Sequence, residues 1–185
     1  MKIDPNSLKF SFLTESSDVS SFACSEYKDL EDFLKHDAKN YLREKIAITY
    51  LVHYEGQLVG FFSLAMGCIA SDSVKKWMGV VKFSPSKYPA HLLARLATND
   101  GFRGKGIGKE MLKRVYTITF KACSSIGCRF IVVDAKKTPK TINFYEKYGG
   151  FVKIHENEDT VKMIIDINKL EDPDTSIETQ MSDYE

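Results

Sequence analysis

A mixed sheet with helices around it, of the α/β or α+β class, is the fold this sequence predicts, and three observations predict it. Apolar runs of strand length alternate with segments of helical periodicity. A glycine-rich turn separates one such run from a long periodic helix. The 185 residues, with 43% hydrophobic, 28% charged and 12% aromatic side chains, suit one compact domain rather than a disordered or disulfide-scaffold chain.

Residues 9–13 alternate weakly and form a first strand. Residues 29–42 predict a helix, because Leu30, Phe33, Leu34, Ala38, Tyr41 and Leu42 recur at three-to-four spacing. Residues 46–54 and 58–69, rich in β-branched and aromatic side chains, flank Glu55-Gly56 as a hairpin. An irregular connection over 71–89, with a short helix near Trp77, leads to a buried strand at 91–98. After Gly101, the segment Phe102-Arg103-Gly104-Lys105-Gly106-Ile107-Gly108 opens a helix whose buried stripe is Ile107, Met111, Val115, Ile118 and Ala122 and whose C-cap is Gly127. A strand at 128–135 follows. Pro139 then opens a helix reaching Tyr148, with Ile142, Tyr145 and Tyr148 on one face, and 151–155 pairs with 162–167 as a closing hairpin.

The most apolar stretch, 58–70, is interrupted by Gly60, Ser63 and Gly67 and is shorter than the roughly 20 residues a membrane span needs. The first residues lack the apolar core of a signal peptide, so the expected location is the cytoplasm. Four cysteines (24, 68, 123, 128) and four histidines (36, 53, 91, 155) lie scattered without paired metal-ligand spacing, so no metal is expected. Residues 171–185 hold six acids and no Lys or Arg, which leaves 26 bases against 19 acids, a net +7, in residues 1–170. The chain is thus expected to be a domain over 1–170 with an acidic, flexible tail over 171–185. The basic body suggests an anionic ligand or partner.

A strand, a glycine turn and a helix N-terminus make an anion site, since unpaired N–H groups and the positive end of the helix dipole converge there. Glycine permits positive φ and close approach of a phosphate. Arg103, Lys105 and Lys109 add positive charge. A Walker A loop would need Ser or Thr after its Gly-Lys, yet Gly104-Lys105 is followed by Gly106 and Gly108-Lys109 by Glu110. A dinucleotide fingerprint belongs near the front of a βαβ unit, and this turn comes after several strands.

Arg103-x-x-Gly106-x-Gly108 resembles the Q/R-x-x-G-x-G/A loop of the GNAT superfamily of N-acetyltransferases, and Asn143-Phe144-Tyr145-Glu146-Lys147-Tyr148-Gly149 resembles its late helix. The resemblance covers about residues 46–167 and departs at Gly150, an extra glycine before Phe151. Phe22-x-Cys24 with Leu30, Phe33, Leu34 and Ala38, together with Ala94-Arg95-Leu96-Ala97 and Asp134-Ala135-Lys136, is similar to the subfamily that includes type II toxins acetylating aminoacyl-tRNA; Ser25 and Glu31 depart from its usual Gly and Asp.

The resemblance implies a GNAT-like, mostly antiparallel sheet flanked by helices, and acetyl-CoA as cosubstrate. It implies a cofactor site at Leu96, Ala97, Thr98, Arg103, Gly104, Lys105, Gly106, Ile107, Gly108 and Lys109, with backbone of Leu96 and Thr98 pairing with the pantetheine arm. Tyr145 is the implied acid for the departing thiolate, while Tyr148 packs. No Asp or Glu lies on the 90–98 strand, so an ordered water is the expected base; a route through Cys123 or Cys128 ranks below direct attack. The expected acceptor is a primary amine, with the amino group of aminoacyl-tRNA ahead of protein or small-molecule amines. An antitoxin and a second copy in a homodimer are the further partners implied. The competing class is a non-catalytic CoA- or RNA-binding module of the same fold.

Overall fold

The computed structural model describes residues 3–78 and 83–170. It has seven strands, mostly antiparallel, and five α-helices, in agreement with the predicted class. The chain forms two compact units, residues up to Met66 with Leu92–Leu112, and Gly67–His91 with the residues from Lys113 onward. The acidic stretch 171–185 lies outside the described residues, as does part of the 71–89 connection.

In the first unit the strand order is β1 (Leu8–Phe12), β2 (Ile48–Tyr54), β3 (Gln57–Ala70) and β4 (Lys87–Thr98), the last two running on into the second unit. The β2–β3 hairpin turns at Glu55 and Gly56, both at positive φ (49° and 78°), the two-residue geometry that matches strand twist. Thr49 and Ser63, opposite each other in register, are fully buried and share a 2.7 Å hydroxyl hydrogen bond, so neither is left unsatisfied.

The front helix runs from α1 (Lys28–Asp32) through a π-helical stretch, Phe33–Asp37, into α2 (Ala38–Arg43). The Ala38 N–H donates to the Phe33 carbonyl five residues back. Phe33, Leu34 and Ala38 are thereby all buried with Phe22, Leu51 and Phe61. Phe61 is the hub, stacked on Phe33 at 6.2 Å and edge-on to Phe22 at 5.2 Å. Burial of each such ring stabilises the unit by about 1.5–3 kcal/mol.

The second unit orders β5 (Phe130–Lys136), β7 (Thr160–Asp166) and β6 (Val152–Glu156), all antiparallel. Its helices are α3 (Ser71–Met78), most of α4 (Ile107–Cys123) and α5 (Pro139–Gly149). Three expectations are corrected. Helix α4 ends at Cys123 and Gly127 is not its cap: the Ser124 hydroxyl donates to the Lys121 carbonyl, the chain leaves through turn bonds at Ser125 and Ile126, and Gly127 has no positive φ. The buried stripe of α4 contains Leu112 and Thr119 beside Ile107, Met111 and Val115, with Ile118 and Ala122 only half-buried, because a 3.6-residue turn drifts off a fixed step. Tyr148 is 46% exposed; the buried positions of α5 are Tyr145 and Gly149, four residues apart.

Thr138 caps α5 by accepting from the Thr141 N–H at 3.2 Å, Pro139 sits in the first turn, and Gly150 closes the helix at φ 65°. The two glycines before Phe151 answer different demands. Gly150 supplies the left-handed cap, while a Cβ on Gly149 would lie 2.6 Å from the Phe151 ring. Gly149→Ala should therefore destabilise the protein by about 1–3 kcal/mol in urea unfolding, and an unchanged midpoint would show that the ring has room to yield.

Candidate active site

The first unit holds the glycine turn. After β4, the Asn99 side chain accepts from the Gly101 N–H at 3.4 Å and opens a single 3-10 turn, Asp100–Phe102. Gly104 and Gly106 then adopt φ of 74° and 92°, conformations that cost other residues roughly 1–2 kcal/mol. Ile107, 1% exposed, begins α4 and fastens the turn to the core. Nothing lies within 4 Å of a Cβ built on Gly104 or Gly106, so the space beside both is open. The backbone N–H groups of residues 104–108 have no acceptor among the described residues, whereas those of Lys109 and Glu110 donate to the Gly106 carbonyl. Unpaired N–H groups at a helix start form the donor set that an anion such as a pyrophosphate requires.

The expected cationic residues behave differently from one another. The Arg103 guanidinium binds Glu26 Oε2, Asp100 Oδ1 (3.0 Å) and Cys24 Sγ (3.2 Å). The Lys105 ammonium donates to the Gly101 carbonyl at 2.9 Å and sits 4.7 Å from the centre of the Phe102 ring, so it braces the turn from within. Lys109 is exposed on the first turn of α4. On β4, Leu96 and Thr98 are half-buried and share one face; Ala97, on the other, is buried, with its carbonyl 3.1 Å from a Cβ built on Gly60.

Three acids that the sequence reading did not assign organise the front of this unit. Glu31 accepts from the Cys24 N–H at 3.0 Å and from the Lys28 and Lys35 ammoniums at 2.7 and 2.8 Å. Those bonds, the Cys24 N–H foremost, hold its carboxyl down at about 2. Asp100 accepts from the Ser25 N–H at 2.8 Å, the main cause of its lowered pKa, and Glu26 takes Arg103. The Asp100–Arg103 pair has a local i,i+3 spacing that a sequence can signal; Glu26 and Arg103 are 77 positions apart and have none.

The second unit holds Tyr145. It is 6% exposed, with its ring 5.1 Å from Phe144 and 5.4 Å from Phe151, both edge-on. Burial pushes its phenol well above the usual tyrosine range, so the proton stays on at neutral pH. Tyr116 is raised chiefly by burial and donates to the Gly149 carbonyl at 2.6 Å. Cys128 is pushed up to about 12, first by burial, and Cys123 is raised for the same reason, so neither presents a thiolate at neutral pH. His91 is buried against the Thr119 hydroxyl at 3.0 Å and shifted down by desolvation. Among the described residues no group of three or more His, Cys, Asp or Glu side chains is placed to hold a metal, and no helix is long and apolar enough to cross a membrane.

Comparison with known proteins identifies the family. Residues 45–152 match the family model described as an acetyltransferase (GNAT) domain. A tRNA-acetylating toxin of Mycobacterium tuberculosis is 31% identical over 124 residues, which cover 66% of this chain and 72% of that protein. Solved structures of similar fold include AtaT complexed with acetyl-methionyl-tRNAfMet, with a TM-score of 0.71, 23% identity and coverage of 94% of this chain and 99% of that one. Another is a mutant of the AtaT toxin bound to the C-terminus of the antitoxin AtaR and acetyl-CoA, with a TM-score of 0.69, 21% identity and coverage of 95% and 98%. The chain belongs to the GNAT family of acetyltransferases, which take their acetyl group from acetyl-CoA.

Proposed function

We propose that this chain transfers the acetyl group of acetyl-CoA to the amino group of an aminoacyl-tRNA in the cytoplasm. The observation that carries the reading is the 31% identity to a tRNA-acetylating toxin over most of that protein. The net charge of +7 in residues 1–170 suits a polyanionic substrate. An antitoxin that holds the enzyme inactive belongs to the same reading. Protein amines and small polyamines are the rival acceptors.

In this reading the N–H groups of residues 104–108 and the start of α4 receive the donor's pyrophosphate, and the backbone of residues 96–98 pairs with the amides of its pantetheine arm. The acceptor amine, having lost its proton to water, attacks the thioester carbonyl carbon. A C–N bond forms, the C–S bond breaks with its electron pair leaving on sulfur, and the nitrogen, positively charged after the attack, gives up its extra proton through water to the thiolate, so that the products are a neutral amide and a thiol. Tyr145 donates a hydrogen bond to that sulfur as charge develops. Its desolvated phenol is a weaker acid than a thiol, so its contribution is a fixed donor rather than a complete early proton transfer.

Incubation with labelled acetyl-CoA and either charged or uncharged tRNA tests the assignment. Label should enter only the charged pool and leave it as an N-acetyl amino acid on alkaline hydrolysis, and the rate should fall steeply with added salt. Label in proteins or polyamines instead would overturn the acceptor. Gly106→Asp, which puts a carboxylate where a phosphate is to sit, should weaken acetyl-CoA binding by about tenfold or more by calorimetry; unchanged affinity in a folded variant would remove the loop from the cofactor site. Tyr145→Phe keeps the ring and should lower turnover by about 10²-fold while leaving acetyl-CoA affinity nearly intact. A loss of less than a few-fold would make Tyr145 a packing residue.

A further inference from the structure

Two stretches of the first unit, residues 21–26 and 99–103, are distant in sequence and stitched together in space. The Asp100 N–H donates to the Ala23 carbonyl at 2.9 Å, and the Ser25 N–H returns to Asp100 Oδ2 at 2.8 Å. The Asn99 amide donates to the Ser21 carbonyl at 3.3 Å and to the Leu58 carbonyl at 3.1 Å. Arg103 completes the seam with its bonds to Glu26, Asp100 and Cys24. Its side chain is 28% exposed, and the Cys24 thiol beneath it is buried and raised in pKa by that burial, with the nearby guanidinium only partly offsetting it.

The GNAT resemblance makes Arg103 a cofactor-binding residue. Its surroundings argue for another task. Two carboxylates already face one guanidinium, so the charge of Arg103 is engaged before any anion arrives. If Arg103 turned to a pyrophosphate, Glu26 and Asp100 would lose its guanidinium while two further negative charges came near, which like-charge repulsion disfavours. Arg103 also immediately precedes Gly104, the first of the two positive-φ residues on which the direction of the following N–H groups depends.

We propose that Arg103 is a positioning residue: by clamping Glu26 and Asp100 it fixes the glycine turn against residues 21–26, and the pyrophosphate is held by backbone N–H groups alone. The proposal rests on the glycine turn being the cofactor site. It adds a coupling, because residues 21–26 lead directly into α1, so cofactor affinity depends on a front segment outside the glycine turn.

The decisive variant is Glu26→Gln, which removes a partner of Arg103 at the surface while leaving the arginine in place. As a clamp, Arg103 loses its anchor, and acetyl-CoA affinity by calorimetry should fall by about three- to tenfold with the chemical step, read in single-turnover kinetics, unchanged. As a phosphate ligand, Arg103 is instead released toward the phosphate, and affinity should hold or rise; that result overturns the proposal. Arg103→Lys separates the two again. A lysine keeps the charge but not the fork, so a clamp predicts a loss similar to that of Arg103→Gln, and a phosphate contact predicts that most affinity survives. The Glu26→Gln/Arg103→Gln double variant should lose little more than either single one, whereas independent, multiplying losses would contradict a shared seam. Gly106→Asp run alongside keeps the two readings apart: if it binds acetyl-CoA normally, the loop assignment itself fails, whatever Glu26 does.

Discussion

The course of the glycine turn depends on two glycines at positive φ, Gly104 and Gly106, set between a strand and a helix. They turn the chain without a side chain in the way, and the space where a Cβ would stand on either is open. That direction persists only if both flanks are held. On the helix side Ile107 is locked into the core, and on the strand side Asn99, Asp100 and Arg103 are tied to residues 21–26. Unpaired donors are costly when buried, and here they are left open where a ligand can meet them.

The front segment is organised by charge more than by apolar packing alone. Glu31 collects one backbone N–H and two ammonium groups, and its low pKa is the sign that the ionised form is bonded at each turn. The usual residue of the related subfamily at this place is the shorter Asp; the longer Glu31 reaches the Cys24 N–H and so joins α1 to the strip that lies against the loop. Phe22 and Phe33, both on Phe61, support the same strip from below. Ionic bonds above and aromatic contacts below thus fix one short piece of chain.

How much of this could be read from residues alone follows the range of the interactions. The hairpin at Glu55-Gly56, the start of α4 in the glycines and the opening of α5 at Pro139 are local, and the sequence states them. Gly127 looks like a cap for α4, yet a serine hydroxyl turned back on the helix marks an earlier end. A step of three residues from Tyr145 puts Tyr148 on the buried face, but the buried neighbour is four away, at Gly149. The Glu26–Arg103 and Asp100–Ser25 bonds bridge 77 and 75 positions, and no local pattern announces them. The resemblance supplied the identity of the loop; only the fold shows what its arginine holds.

The role proposed for the backbone N–H groups of residues 104–108 is to receive the donor's pyrophosphate. Residue-resolved amide hydrogen exchange tests it most directly, comparing saturating acetyl-CoA with acetyl-pantetheine, which carries the same thioester and arm but no pyrophosphate. Exchange at residues 104–108 should slow with acetyl-CoA and change little there with acetyl-pantetheine. Equal protection by both, or none at these amides while acetyl-CoA is bound, would contradict it.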